Sequence, residues 1–236
     1  MLLVAAVGSR AFWYLTRSTG AIALVLLTLV LVLGVLDVSR LATPRWPRFV
    51  IDGLHRTVSL LAVSFLAVHI LTSVLDAYAP ITLIDAVIPF RSPYRSLWLG
   101  LGAVAFDLMI AVLITSLIRA RLGYGTWRAV HWLAYASWPI AVLHTLGTGS
   151  DVKQVWLLLL TWICIGAVAA AVAARVAFTQ SLPVRHRIAV SAVPVVFVLA
   201  LIVWLPLGPL GANWAQRSGT PASLIGGGTA TTASSP

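Results

Sequence analysis

Six long apolar runs govern what this chain can fold into. They fall at about Leu15–Leu36, Leu54–Asp76, Leu97–Ile118, Trp127–Leu146, Val155–Ala177 and Ile188–Leu207. Each approaches the ~20 residues that a helix needs to cross the hydrocarbon core of a bilayer. Helix and turn breakers collect between them, among them Pro44 and Pro47, Pro80, Pro89 and Pro93, Gly123 and Gly125, and Pro183. The expected fold class is therefore all-α: a polytopic membrane protein of six transmembrane helices. Residues 1–14 form an N-terminal segment, 15–210 the membrane domain, and 211–236 a Gly/Ser/Thr/Ala-rich tail expected to be disordered.

Charge supports the same reading. Only 9% of the 236 residues are charged and 60% are hydrophobic, whereas a soluble domain has about a quarter of its residues charged. A net charge of +10 would otherwise raise nucleic acid as a partner. The arginines instead stand singly or in short groups between the apolar runs, a pattern that sets membrane topology, and nucleic acid is rejected. With the segments after runs 1, 3 and 5 in the cytoplasm, ten of the 16 Lys and Arg residues lie on that side. Both termini are then extracytoplasmic, although Arg10 and Arg17 oppose this for the first run. No basic stretch precedes the first apolar residues, so no cleaved signal peptide is expected. The single cysteine, Cys164, excludes an internal disulfide and a CxxC metal site and reads as a core or lipid-facing residue.

Four of the five histidines interrupt two of these runs: His55 and His69 in the second, His131 and His144 in the fourth. The fifth, His186, sits in a basic flank. Fourteen residues of helix rise ~21 Å and return to within ~40° of the starting face, so His55 and His69 point the same way at two depths. The spacing of thirteen in the fourth run leaves its rings ~140° apart on a straight helix, and Pro139 lies between them as a source of kinking. Pairing by depth matches His55 with His131 and His69 with His144. Each pair suits the two axial positions of a haem iron, for which neutral imidazole is a good ligand. Zinc would need its ligands within one coordination sphere instead. A lone membrane histidine is often a helix–helix hydrogen-bonder, but two depth-matched pairs fit that role poorly. Two b-type haems between helices 2 and 4 are the expectation.

These residues carry a resemblance. The four histidines, with RSTG at 17–20, LHR at 54–56 and WRAVHWLAY at 127–135, resemble the ferric reductase-like transmembrane domain. That family includes the membrane parts of ferric reductases and NADPH oxidases and the haem subunit of the periplasmic methionine sulfoxide reductase system. The likeness runs from about Leu15 to Ala177. It implies that His55 and His131 ligate an inner haem that receives electrons first, and His69 and His144 an outer haem. It also implies a bacterial plasma membrane. Ferric reductases and NADPH oxidases continue into flavin and NADPH domains, for which no GxGxxG appears here. The expected donor is a separate flavoprotein, a flavin or a quinol, and the acceptor an extracytoplasmic protein or ferric iron.

Further residues have possible roles in such a site. Arg56 beside His55 and Arg128 near His131 can pair with haem propionates or simply flank the membrane, and Arg17 can serve the outer haem in the same way. HTLGTGSD at 144–151 reads chiefly as a helix stop. Asp107, in the middle of the third run, is expected to make a structural hydrogen bond in the bundle interior. Asp76, Asp85 and Asp151 read as solvated loop acids. No Ser–His–Asp set is recognisable, and no catalytic residue is assigned. The expected function is transmembrane electron transfer by a bis-histidine dihaem cytochrome b, as an oxidoreductase component. The alternatives are a haem subunit feeding a periplasmic reductase and a non-redox metal-binding membrane protein.

Overall fold

The computed structural model describes residues 2–38, 48–149, 151–178 and 184–225. Every long element among them is an α-helix. These are α1 (Leu2–Val38), α2 (Arg48–Leu75), α3 (Ser96–Leu117), α4 (Arg119–Leu122), α5 (Tyr124–His131), α6 (Leu133–Thr148), α7 (Val155–Phe178), α8 (Val184–Leu207), α9 (Trp214–Arg217) and α10 (Ala222–Ile225). A 3₁₀ turn at Leu83–Ala86 lies between α2 and α3. The interhelical segment with Arg40, Pro44 and Arg45, and residues 226–236 of the tail, lie outside the described residues.

Five of these helices, and not six, are each long and apolar enough to span a membrane: Ala11–Asp37, Phe49–Leu75, Ser96–Leu117, Val155–Ala177 and Arg187–Leu207. The fourth expected run is divided into α5 and α6 at Trp132. There the main chain tightens, with Tyr135 N–H donating to the Trp132 carbonyl, three residues back. Pro139 stays inside α6. Its ring crowds the carbonyl four residues earlier, that of Tyr135, and the turn ending at Tyr135 is the one that tightens. The interruption thus falls between His131 and His144, but N-terminal to the proline. The first helix starts at Leu2 and absorbs the expected N-terminal segment.

The helices divide into two compact units. The first comprises Met1–Thr16, Ile70–Gly149 and Leu210–Pro236, and the second Arg17–His69 and Ser150–Pro209. In the first, α3 and α6 form the principal pair. Small residues make the approach possible: a Cβ on Gly147 of α6 would collide with the Trp98 indole, and one on Gly100 with Phe90. Where surrounding lipid gives no hydrophobic drive between helices, such close packing supplies the association. In the second unit, Leu24, Leu31 and Val35 of α1, Thr161, Cys164 and Ile165 of α7, and Leu201 and Leu205 of α8 are buried. Cys164 is a reduced core thiol, as expected. Val193, Val196, Leu199 and Val203 of α8 remain exposed, as suits a helix whose outer surface meets acyl chains.

Two polar expectations change. The described part of the tail, 211–225, is folded. It forms α9 and α10, and Ser218 and Thr220 are buried. Asp85 is not a solvated loop acid. It is buried, and its Oδ2 accepts hydrogen bonds from Thr82 N–H at 2.8 Å and Thr82 Oγ1 at 2.7 Å. This is the reciprocal cap that starts the 3₁₀ turn.

Candidate functional site

Each unit carries two of the four membrane histidines, and all four rings are half-buried. His55 and His69 lie on α2 in the second unit. His131, the last residue of α5, and His144, in the last turns of α6, lie in the first.

Three of the four rings rest against a glycine of a neighbouring helix. A Cβ added to Gly20 of α1 would stand 2.9 Å from Cε1 of His69. One on Gly34, also of α1, would stand 3.4 Å from Cε1 of His55. One on Gly102 of α3 would stand 2.5 Å from Nδ1 of His144. No larger residue fits at Gly20 or Gly102 without displacing an imidazole, so hydrogen at Cα lets these rings reach the main chain of the facing helix. His131 is held differently, stacked on the Trp127 ring one turn earlier at 4.9 Å between centroids.

His144 is also held by hydrogen bonds. Its Nδ1 lies 2.9 Å from the Trp98 carbonyl and 3.3 Å from Thr148 Oγ1. A carbonyl only accepts, so Nδ1 is the donor in this contact. Metal-ligating histidines usually have the other ring N–H tied to a main-chain carbonyl in this way. His144 therefore has an orientation that fits ligation of a haem iron. No cluster of three or more His, Cys, Asp or Glu suited to a bare metal ion occurs among the described residues.

The proposed accessory residues fare unequally. Arg56 and Arg128 are exposed, and their side chains make no hydrogen bond or ion pair among the described residues. Arg17 Nη2 meets Asp151 Oδ1 at 2.9 Å, with both side chains largely shielded. Asp151 is thus a partner for α1 and not a solvated loop acid. Asp107 is half-exposed and makes no hydrogen bond or ion pair among the described residues, in place of the expected structural bond.

Arg95 escaped the sequence reading, where it stood as one more flanking arginine. It is buried, has a left-handed φ of 44°, and precedes α3. Its Nη1 donates to the carbonyls of Gly147 at 3.1 Å and Thr148 at 2.9 Å, and its Nε to Thr220 Oγ1 at 2.9 Å. The Trp214 indole N–H reaches the same Gly147 carbonyl at 3.2 Å. The last carbonyls of a helix have no intrahelical donors. Here the end of α6, one turn beyond His144, is capped by a cation and an indole from distant parts of the chain. Only the SGT stop at 218–220 hinted at order in this region.

No curated protein and no solved structure matches the chain. The family described as "Ferric reductase like transmembrane component" matches residues 19–142, a stretch that holds His55, His69, His131 and the glycines at 20, 34 and 102. Since that is more than half of the chain, this multi-pass membrane protein belongs to the ferric reductase-like transmembrane family.

Proposed function

We propose that this protein is a bis-histidine dihaem cytochrome b that carries electrons across the membrane, from a cytoplasmic-side donor to an extracytoplasmic acceptor. His55 and His131 hold the inner b-type haem, and His69 and His144 the outer one. What carries this reading is the His144 imidazole, whose Nδ1 is tied to the Trp98 carbonyl at 2.9 Å in the manner usual for metal-ligating histidines. The glycines facing His55, His69 and His144 add to it, because each lets a ring seat deeply between helices. When bound, haem would supply a one-electron ferric/ferrous couple held by these histidines.

The protein's own residues then do three things. They keep neutral imidazoles in fixed orientation. They surround the redox centres with apolar helix, which keeps water and protons out. They place arginines for the propionates, Arg56 and Arg128 ahead of Arg17, whose charge Asp151 already answers. The donor is a flavoprotein, a flavin or a quinol, and the acceptor is an extracytoplasmic reductase partner or ferric iron. The arginine distribution supports an orientation with both termini extracytoplasmic, and the resemblance to the family suggests a bacterial plasma membrane.

The test is a reduced-minus-oxidised spectrum of the purified protein from cells supplied with a haem precursor, with the haem quantified per chain. Low-spin b-type bands at two haems per chain are expected. Stoichiometric iron without those bands would overturn the proposal in favour of a non-redox metal protein.

A further inference from the structure

The segment after α8 packs back onto the end of α6, within the same unit as His144. It is shaped for this. Helix α9 stops in a Schellman turn, in which Thr220 N–H donates to the Ala215 carbonyl at 3.0 Å and Gly219 N–H to the Gln216 carbonyl at 3.1 Å. Gly219 takes φ of 88°, a conformation that residues with a Cβ rarely adopt. The turn aims two groups at Arg95: the Gly219 carbonyl accepts Arg95 N–H at 2.9 Å, and Thr220 Oγ1 accepts Arg95 Nε–H at 2.9 Å. Arg95 is thereby held in a left-handed backbone that persists only where its surroundings impose it. The Trp214 ring packs on Trp98 at 5.3 Å between centroids.

Each of these contacts leads to the His144 imidazole. Trp98 supplies the carbonyl that Nδ1–H donates to, and Arg95 is one helical turn before it. Thr148 gives its carbonyl to Arg95 and its hydroxyl to Nδ1 of His144. Thus the guanidinium holds the Thr148 end of α6, while the Arg95 main chain begins the turn of α3 that carries Trp98. Resting on the dihaem reading above, we propose that Arg95, locked by the Trp214–Thr220 turn, is a positioning residue for His144: by tying the end of α6 to the start of α3 it keeps Nδ1 against the Trp98 carbonyl and the Thr148 hydroxyl, and so sets the electron-donating strength of the imidazole toward the outer haem iron.

The physical consequence is a redox one. A stronger Nδ1–H···O=C bond makes the imidazole a better donor and stabilises ferric iron. Loosening the clamp weakens that bond and raises the potential of the haem that His144 ligates. The other haem is untouched. The experiment uses the full chain with both haems bound, and compares wild type with Arg95→Gln, Arg95→Lys, Thr220→Val and Trp214→Phe. Redox titration and low-spin electron paramagnetic resonance are read on each.

In Arg95→Gln, one of two midpoint potentials rises, by on the order of tenfold in its reduction equilibrium, or ~59 mV for one electron. Thr220→Val and Trp214→Phe move the same haem less, and Arg95→Lys recovers part of the shift. The largest g value of that haem moves with its potential. If Arg95→Gln does not fold, the two milder variants decide. Two bound haems with both potentials and both g values unchanged in the variants overturn this inference alone, as do equal shifts at both haems. Wild-type protein without haem bands overturns the dihaem reading and this inference with it.

Discussion

Gly102 of α3 and His144 of α6 lie so close that a single Cβ at position 102 would stand 2.5 Å from Nδ1 of the imidazole. The ring cannot simply swing aside, because the Trp98 carbonyl and the Thr148 hydroxyl hold that same nitrogen. Gly102→Ala is therefore expected to displace His144 and remove one of the two haems, while the haem on His55 and His131 keeps its spectrum. Overpacking of this kind costs roughly 1–3 kcal/mol. Haem per chain after purification measures it, and full retention of both haems would show that the ring has room that this geometry denies.

Gly147 is the companion case in the same helix pair. Its Cα faces the Trp98 indole so closely that a methyl there must push the ring away. Trp98 also packs on Trp214, so the displacement spreads to the ordered part of the tail. Gly147→Ala is expected to lower the thermal midpoint in detergent, at a cost of roughly 1–3 kcal/mol, and to make the segment after Leu210 cleavable by protease. A variant with unchanged midpoint and unchanged cleavage would contradict this packing.

Asp85 tests a different kind of contact. Its buried carboxylate accepts from both the main-chain N–H and the hydroxyl of Thr82. Asp85→Ala leaves the Thr82 donors unanswered, at a cost of about 1–2 kcal/mol. Asp85→Asn keeps one acceptor oxygen and should recover part of the loss. Thermal denaturation of the two variants provides the comparison, and equal midpoints for Asp85→Ala and wild type would remove the cap from the account.

Much of this architecture could be read from residue spacing, and the rest could not, for identifiable reasons. Apolar run length and the positions of Pro80 to Pro93 located the long helices, because bilayer thickness is a strong external ruler. The break at Trp132 was not legible: the run becomes more apolar past it, but only hydrogen bonding distinguishes an α turn from a tighter one. The ordered tail was misjudged because Gly, Ser and Thr are as frequent in flexible linkers as in helix stops. Gly219 belongs to a Schellman turn whose partner, Arg95, lies 124 positions earlier in the sequence. For the site, the histidines announced themselves, since polar residues inside an apolar run are costly. Gly20 stood in the RSTG motif, but nothing in the sequence could pair it with His69, nor Gly102 with His144. Asp151 looked like any loop acid until α1 brought Arg17 to it.

That last pair gives a fourth prediction. Arg17 and Asp151 meet at 2.9 Å, with side chains 18% and 20% exposed. Partial burial makes the loss of one partner costlier than at an open surface, because the other charge is left poorly solvated. Asp151→Asn and Arg17→Gln should each lower stability by about 1–2 kcal/mol, and the double variant should lose less than their sum. A double-mutant cycle on thermal stability reads the coupling directly. Zero coupling would mean that the pair does not form in solution.

The histidines themselves supply the final and most discriminating series. On the proposed pairing, His55→Ala and His131→Ala should each remove the same haem, and His69→Ala and His144→Ala the other. Replacement by alanine empties an axial position, and an iron with one imidazole left is high-spin or lost during purification. Spectra alone would show one haem remaining in every variant, so the identity of the survivor must come from its potential. Two classes of variant, each retaining one of the two wild-type potentials, are expected. Pairing along one helix gives the opposite partition, with His55→Ala resembling His69→Ala. Helix geometry argues against that outcome: fourteen residues separate the rings by ~21 Å along α2, whereas both axial nitrogens must bond to the same iron atom.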